Sequence, residues 1–212
     1  IVGFQESFIE KDRTILIDAL KDSRLKYHQY YPSGTVGSGL LISSAFPIRE
    51  VLFHRYTVSN PWYKFWEGDW WAGKGLALAR IEVQGGYVDL YNTHAQAGYG
   101  NPAYRIVRIQ QMTELAEFIN RSKVDTIPAF LVGDMNCRPG SEDFETAVQG
   151  AGLVRAMLIP SSIDHIFKVT NEHYSFEVIE TIEIPRAGLS DHNGYVSDIR
   201  IAPEVDSQTS VL

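Results

Sequence analysis

Four segments of this chain put acid–base and metal-ligand residues where an apolar, strand-like run ends or turns, and that recurrence limits the folds available. They are Phe4-Gln5-Glu6, Asn92-Thr93-His94, Gly133-Asp134-Met135-Asn136 and the turn Ser190-Asp191-His192-Asn193. A side chain at a strand end emerges at the edge of a sheet. Several such endings can share one site only if sheets are stacked with those ends together. The expectation is a sheet-based fold with one polar site at one edge.

The rest of the pattern agrees. IVGFQE is a buried-strand pattern, and Asp12 to Lys21 place Ile15, Leu16, Ala19 and Leu20 at helical spacing. Tyr27 to Tyr31, Ser38 to Ser43 and Ile48 to Thr57 are β-rich and broken at Pro32-Ser33-Gly34 and Phe46-Pro47. Leu76 to Val83 and Tyr87 to Asn92 flank Gln84-Gly85-Gly86, a hairpin signal. Tyr104 to Asn120 read as a helix with Ile106, Ile109, Met112, Leu115, Ala116 and Ile119 on one stripe. Pro128 to Val132 is a strand run, and Ser141 with Glu142-Asp143 fits the cap of a helix ending near Gly150. Ile163 to Val169, Ser175 to Ile184 and Tyr195 to Ile201 close the chain as strands. Local hairpins mixed with a few crossover helices fit a doubly wound parallel sheet poorly and two packed sheets with helices outside well.

Residues 1–202 of the 212 read as one domain, since no linker or charge block divides them, and Pro203 to Leu212 as a loose polar tail. The net charge of -7 disfavours nucleic acid as a partner, although clustered Lys and Arg or bound cations would supply a local positive face. The single Cys137 allows neither an intrachain disulfide nor a Cys-rich zinc site. No run has the ~20 apolar residues of a spanning helix; the compartment is left open, between secreted and peripheral at membranes. Ile1-Val2-Gly3-Phe4 reads as the middle of a strand, and an N-terminal piece is expected ahead of it. Nothing on the long helix marks a dimer seam, and a monomer is expected.

The polar endings carry specific chemistry. The carboxylate of Glu6 after an apolar strand is costly to bury unless it is paired or bound to a cation; the competing reading is an exposed strand end. Asp134 and Asn136 alternate along an extended segment, so both would point to one side and could hold a water, a phosphate oxygen or a hard cation. The competing reading is an Asx-turn before Pro139. His94, at the mouth of the sheet, could donate to phosphate and stabilise charge in a transition state. A lone His is more often structural. Asp164 precedes the Asp191-His192 turn. Accepting from one ring nitrogen of His192, it would fix the tautomer and make the other nitrogen a base for water; otherwise it is a strand-edge charge.

Taken in order, FQE, NTHA, GDMN, SIDHI and LSDHNGY resemble the endonuclease/exonuclease/phosphatase superfamily, over Glu6 to Tyr195. The resemblance implies an α+β, four-layer α/β sandwich of the DNase I-like kind, with two packed mixed β-sheets flanked by helices. It implies Mg²⁺ as cofactor, with Mn²⁺ or Co²⁺ as substitutes. It makes Glu6 the principal metal ligand and Asp191 a support of the metal or phosphate site. Asp134 and Asn136 bind phosphate or the nucleophilic water, His94 contacts phosphate, and His192, oriented by Asp164, is the general base. The family's first strand, which supplies an Asn to the site, should precede Ile1.

Asn60 to Gly75 hold all four Trp of the chain. With Asp69 and Lys74 as substrate-binding residues, this segment is similar to that of neutral sphingomyelinases, as is NTHAQAGY before its helix. That branch implies a phospholipid substrate at a membrane surface, cleaved to ceramide and phosphocholine. Aromatic rings suit the membrane interface, and a choline cation could sit on them; filling of a core between sheets is the plainer alternative. A nuclease or an inositol polyphosphate phosphatase of the same fold is the second expectation, and a non-catalytic binding module the third.

Overall fold

The computed structural model describes residues 1–59, 72–98, 101–160, 163–188 and 190–204. Its centre is a six-stranded mixed sheet in the order β4-β5-β6-β7-β9-β8. These strands are β4 (Ile48–Arg55), β5 (Gly75–Val83), β6 (Gly86–His94), β7 (Ala129–Asp134), β8 (Leu153–Arg155) and β9 (Asp164–Val169). β5 and β6 form the expected hairpin. β6 and β7 run parallel, and the crossover between them carries the helix Ala103–Ser122. β9 returns antiparallel to β7.

The second layer has two parts. β1 (Val2–Phe4), β3 (Leu41–Ser44) and β2 (Tyr27–Tyr30) form an antiparallel sheet in that order, and β10 (Tyr174–Ile184) with β11 (Gly194–Pro203) forms a long hairpin. The stacked sheets anticipated from the sequence are present, with the mixed pairing confined to the six-stranded one among the described residues.

Alternation explains why β5 to β7 are apolar on both faces. Leu76, Leu78, Tyr91 and Leu131 join the core under the helices, while Ala77, Ala79, Leu90 and Phe130 join the core between the layers. Phe130 meets Phe176 of β10 edge-on at 5.4 Å, and Ile199 and Ile201 of β11 pack on the same cluster. Each fully buried aliphatic or aromatic side chain contributes about 1.5–3 kcal/mol.

The helices are α1 (Glu10–Leu20), α2 (Ala103–Ser122) and α3 (Glu142–Ala151). On α2 the buried stripe is Tyr104, Gln111, Met112, Leu115, Ala116 and Ile119, and Ile106 is 62% exposed. Successive steps of three residues fall short of a 3.6-residue turn, so the expected stripe drifts off the face before it reaches Ile106. α1 presents Arg13, Leu16, Ile17 and Leu20 inward, and Ile15 and Ala19 are exposed. Ser141 precedes α3, but its hydroxyl donates to Arg138 O at 2.7 Å instead of capping the helix. β8 was not anticipated; its three residues are too few to show a period. The expected tail begins later, since Pro203 still pairs with Tyr174 and Glu204 N donates to His173 O. Residues 205–212 lie outside the described residues.

Candidate active site

Register assembles the site. His94 of β6 lies opposite Asp134 of β7, and Asp134 lies opposite Asp164 of β9, so three chemistry-bearing residues form one row across the sheet edge. Gly133 permits the close approach. Its φ is +147°, and a Cβ there would fall 2.1 Å from the backbone oxygen of Thr93.

His94 is the buried end of the row and does not reach the mouth of the sheet as expected. The Nζ of Lys74, the residue before β5, sits 3.0 Å from His94 Nε2 and donates to Ala95 O at 2.8 Å. An ammonium only donates, so Nε2 accepts and the ring proton is on Nδ1, which has no hydrogen-bond partner among the described residues. Burial, then the charges of Lys74 and His192, hold the His94 pKa well below the usual imidazole range. Thus His94 is a neutral acceptor fixed on Lys74, and it cannot donate from Nε2 to phosphate in this arrangement. Asp134 Oδ2 at 3.6 Å and Glu6 Oε1 at 3.9 Å face the same nitrogen.

The segment after Asp134 is not extended. Asn136 has φ +51°, its N–H donates to Asp134 Oδ1 at 2.9 Å, and its side-chain amide donates to Ala95 O at 3.2 Å. This is the Asx-turn, the reading set against period-two alternation. The turn keeps Asn136 beside the row even so. Burial first, then the facing Asp164, raises the Asp134 pKa to about 6.

His192 reaches the row from the β10–β11 connection. Its Nδ1 lies 3.0 and 3.1 Å from the two oxygens of Asp164. Burial alone lowers its pKa, but the Asp164 hydrogen bond and the charges of Asp164, Asp134 and Asp191 outweigh that, and the net shift is upward. Burial likewise raises Asp164, against the His192 contact. Asp191 is not drawn into the row. Its side chain is 83% exposed and Oδ2 is 3.9 Å from His192 Nε2, because successive residues of the turn point apart. Arg186 donates to Asp191 O at 3.1 Å and to the Asn193 side chain through its own N–H at 3.0 Å, which staples the turn.

Glu6, Asp134, Asp164 and His192 line the polar end of a cleft of about 850 Å³. Its floor includes Leu90, Phe130 and Val132, and its walls are β1 and β11, neither of which pairs with a further strand on that side among the described residues. Asp69 and the four Trp lie outside the described residues.

Sequence reasoning gave Asn92 no role. It is wholly buried, accepts from Gln5 Nε2 at 2.7 Å and donates to Phe4 O at 3.0 Å and Leu41 O at 3.3 Å, tying β1 to the central sheet two residues before His94. An Asn inside so apolar a strand was the available signal, because a buried amide must find partners.

The donor set suits a divalent cation. One ligand atom each from Asp134, Asp164 and His192 lie within 4.8 Å of one another, and two opposed carboxylates with raised pKa values are what a hard cation with oxygen ligands relieves.

A sandwich of stacked sheets whose acidic and imidazole residues meet at strand ends defines a phosphoester-type site on an α+β fold. The chain belongs to the Endonuclease/Exonuclease/phosphatase family, whose model matches residues 1–192. A putative neutral sphingomyelinase of Drosophila melanogaster is 36% identical over 234 residues, covering 95% of this chain and 53% of that protein. The chain thus spans about half the length of this relative. Sphingomyelinase C from Streptomyces griseocarneus has the same fold, with a TM-score of 0.65 at 17% identity over 95% of this chain and 85% of that one. A mutant beta toxin from Staphylococcus aureus with bound magnesium ions gives 0.66 at 17% identity, over 96% and 86%.

Proposed function

We propose that this protein hydrolyses sphingomyelin to ceramide and phosphocholine at a lipid surface, in a reaction that depends on Mg²⁺. The substrate reading is supported by the Drosophila relative's name, and the chemistry by one observation, the His192–Asp164 contact at the end of the His94–Asp134–Asp164 row. Asp164 accepts the Nδ1 proton, which leaves Nε2 of His192 basic and directed by a fixed ring. Water gives its proton to that nitrogen as its oxygen attacks phosphorus; the bond from phosphorus to the ceramide oxygen breaks, the departing ceramide oxygen takes a proton from solvent water, and ceramide and phosphocholine leave. Asn136 orients the headgroup phosphate, and Lys74, buried against His94, adds positive charge near the row. Glu6 and Asp134 would hold Mg²⁺, which polarises the phosphoryl oxygens and screens their charge. Asp191 lines the approach to the headgroup, and Asp69 is proposed as a further headgroup-binding residue.

No described helix is long and apolar enough to cross a membrane. The test is phosphocholine release from sphingomyelin vesicles with Mg²⁺ and then EDTA, with supercoiled DNA and inositol phosphates in parallel. Release that needs the cation is expected, and poor DNA cleavage given the charge of -7. Absence of metal-dependent release ends the proposal.

A further inference from the structure

The turn that carries Glu6 is built under strain and latched from α1. Glu6 has φ +58°, a left-handed conformation that a residue with a Cβ adopts at a cost and keeps only when its surroundings impose it. Its own side chain imposes nothing, being 67% exposed with the neutral ring of His94 3.9 Å away. The main chain does the work. Phe8 N donates to Glu6 O at 2.8 Å and Ser7 N to Gly39 O at 2.9 Å. Nη1 of Arg13 then donates to both Ser7 O at 2.8 Å and Phe8 O at 2.7 Å. The guanidinium is itself seated, with Cζ 3.6 Å above the ring of Tyr30. Phe8 closes the turn against Gly39, where a Cβ would meet its ring at 2.6 Å.

We infer that Arg13 is a positioning residue that holds Glu6 in its ligand conformation and so sets the affinity of the site for a divalent cation. The inference rests on the reading of Glu6 as a cation ligand. A carboxylate that visits its competent conformation only part of the time binds with an affinity lowered by that fraction. Two charge-assisted hydrogen bonds to adjacent carbonyls and a stacked cation are the contacts that keep the fraction high. Lysine keeps the charge and a nitrogen able to donate to both carbonyls, but it has no planar guanidinium to stack flat on Tyr30.

The experiment is calorimetric titration of Mn²⁺ and Mg²⁺, without substrate, into the native chain and into Glu6→Gln, Arg13→Met, Arg13→Lys and the Glu6→Gln/Arg13→Met double variant. Arg13→Met is expected to weaken binding about tenfold, Arg13→Lys less, and the double variant no more than Glu6→Gln alone, because a latch has no effect on a ligand already removed. Additive losses, or Arg13 variants that bind as the native chain does while Glu6→Gln does not, overturn the inference. Native-like binding by Glu6→Gln overturns the reading beneath it as well. If Arg13→Met fails to fold, Arg13→Lys and its double variant with Glu6→Gln carry the same cycle.

Discussion

Replacing Asp134 with Asn should stabilise the cation-free protein, although Asp134 lies at the heart of the proposed chemistry. Burial and the carboxylate of Asp164 opposite raise its pKa from 3.8 to about 6. Each pKa unit is worth 1.36 kcal/mol, so the ionised side chain costs the folded state roughly 3 kcal/mol relative to the unfolded chain. Because the folded value is the higher one, the sign is fixed. Below about pH 4 both states hold the proton and there is no penalty. Between about pH 4 and 6 only the unfolded state ionises and stability falls; above 6 the penalty is constant. Asn retains the oxygen that accepts from Asn136 N and offers its amide to Asp164. Urea unfolding in EDTA at pH 8 should give the Asn variant an advantage of up to roughly 3 kcal/mol, about 6 to 12 °C in Tm for a chain of this size. The advantage should vanish near pH 4. Mg²⁺ at ~100 times its dissociation constant should return ~2.7 kcal/mol to the native chain alone. An Asn variant no more stable than the native chain at pH 8 would show that Lys74 and His192 already neutralise the carboxylate, and the metal-relief argument would fail.

Four further outcomes follow from the same geometry. His192→Ala should lower phosphocholine release by about 10²- to 10⁴-fold, the range of general base catalysis, with an unchanged circular dichroism spectrum; full activity overturns the mechanism. In a pH profile of kcat/KM, activity should rise with pH as His192 deprotonates, with an inflection above 6.5 because the Asp164 contact outweighs burial. Asp164→Asn should move it down, and an acid limb already complete at lower pH counts against His192 as the base. Gly133→Ala should destabilise by about 3 kcal/mol or more in urea, since a Cβ 2.1 Å from Thr93 O must part β6 from β7. Glu6→Gln should raise the Mg²⁺ concentration for half-maximal turnover, and an unshifted curve removes Glu6 from the ligand set.

Much of the fold was legible because its signals are local. Gln84-Gly85-Gly86 marks the β5–β6 hairpin, and the apolar runs of β6 and β7 end within two residues of the observed ends. What escaped needed partners distant in sequence. Asn92 declares its place only when Phe4, Gln5 and Leu41 arrive. The burial of His94 follows from a lysine twenty residues earlier. Arg13 looked like any exposed helical cation until the carbonyls of Ser7 and Phe8 closed on it. The His192–Asp164 contact was anticipated, but that the adjacent Asp191 turns out to solvent was not.

The row itself carries the strongest argument, because β-pairing has a period of two. A slip of one residue between β6 and β7 would set His94 against Gly133 or Met135 and turn Asp134 away from Asp164 toward the helix core around Leu131 and Phe167. Register is fixed by Phe130 pointing at Phe176 on one face and Leu131 entering the helix core on the other. The hydrophobic core therefore sets which oxygen atoms meet at the sheet edge. A core change such as Phe130→Ala, at a usual cost of ~3–5 kcal/mol, should reduce Mg²⁺ affinity and turnover together in the fraction that stays folded, although Phe130 touches no reacting group. Native cation affinity in that variant would show that the ligand row holds its register without the core.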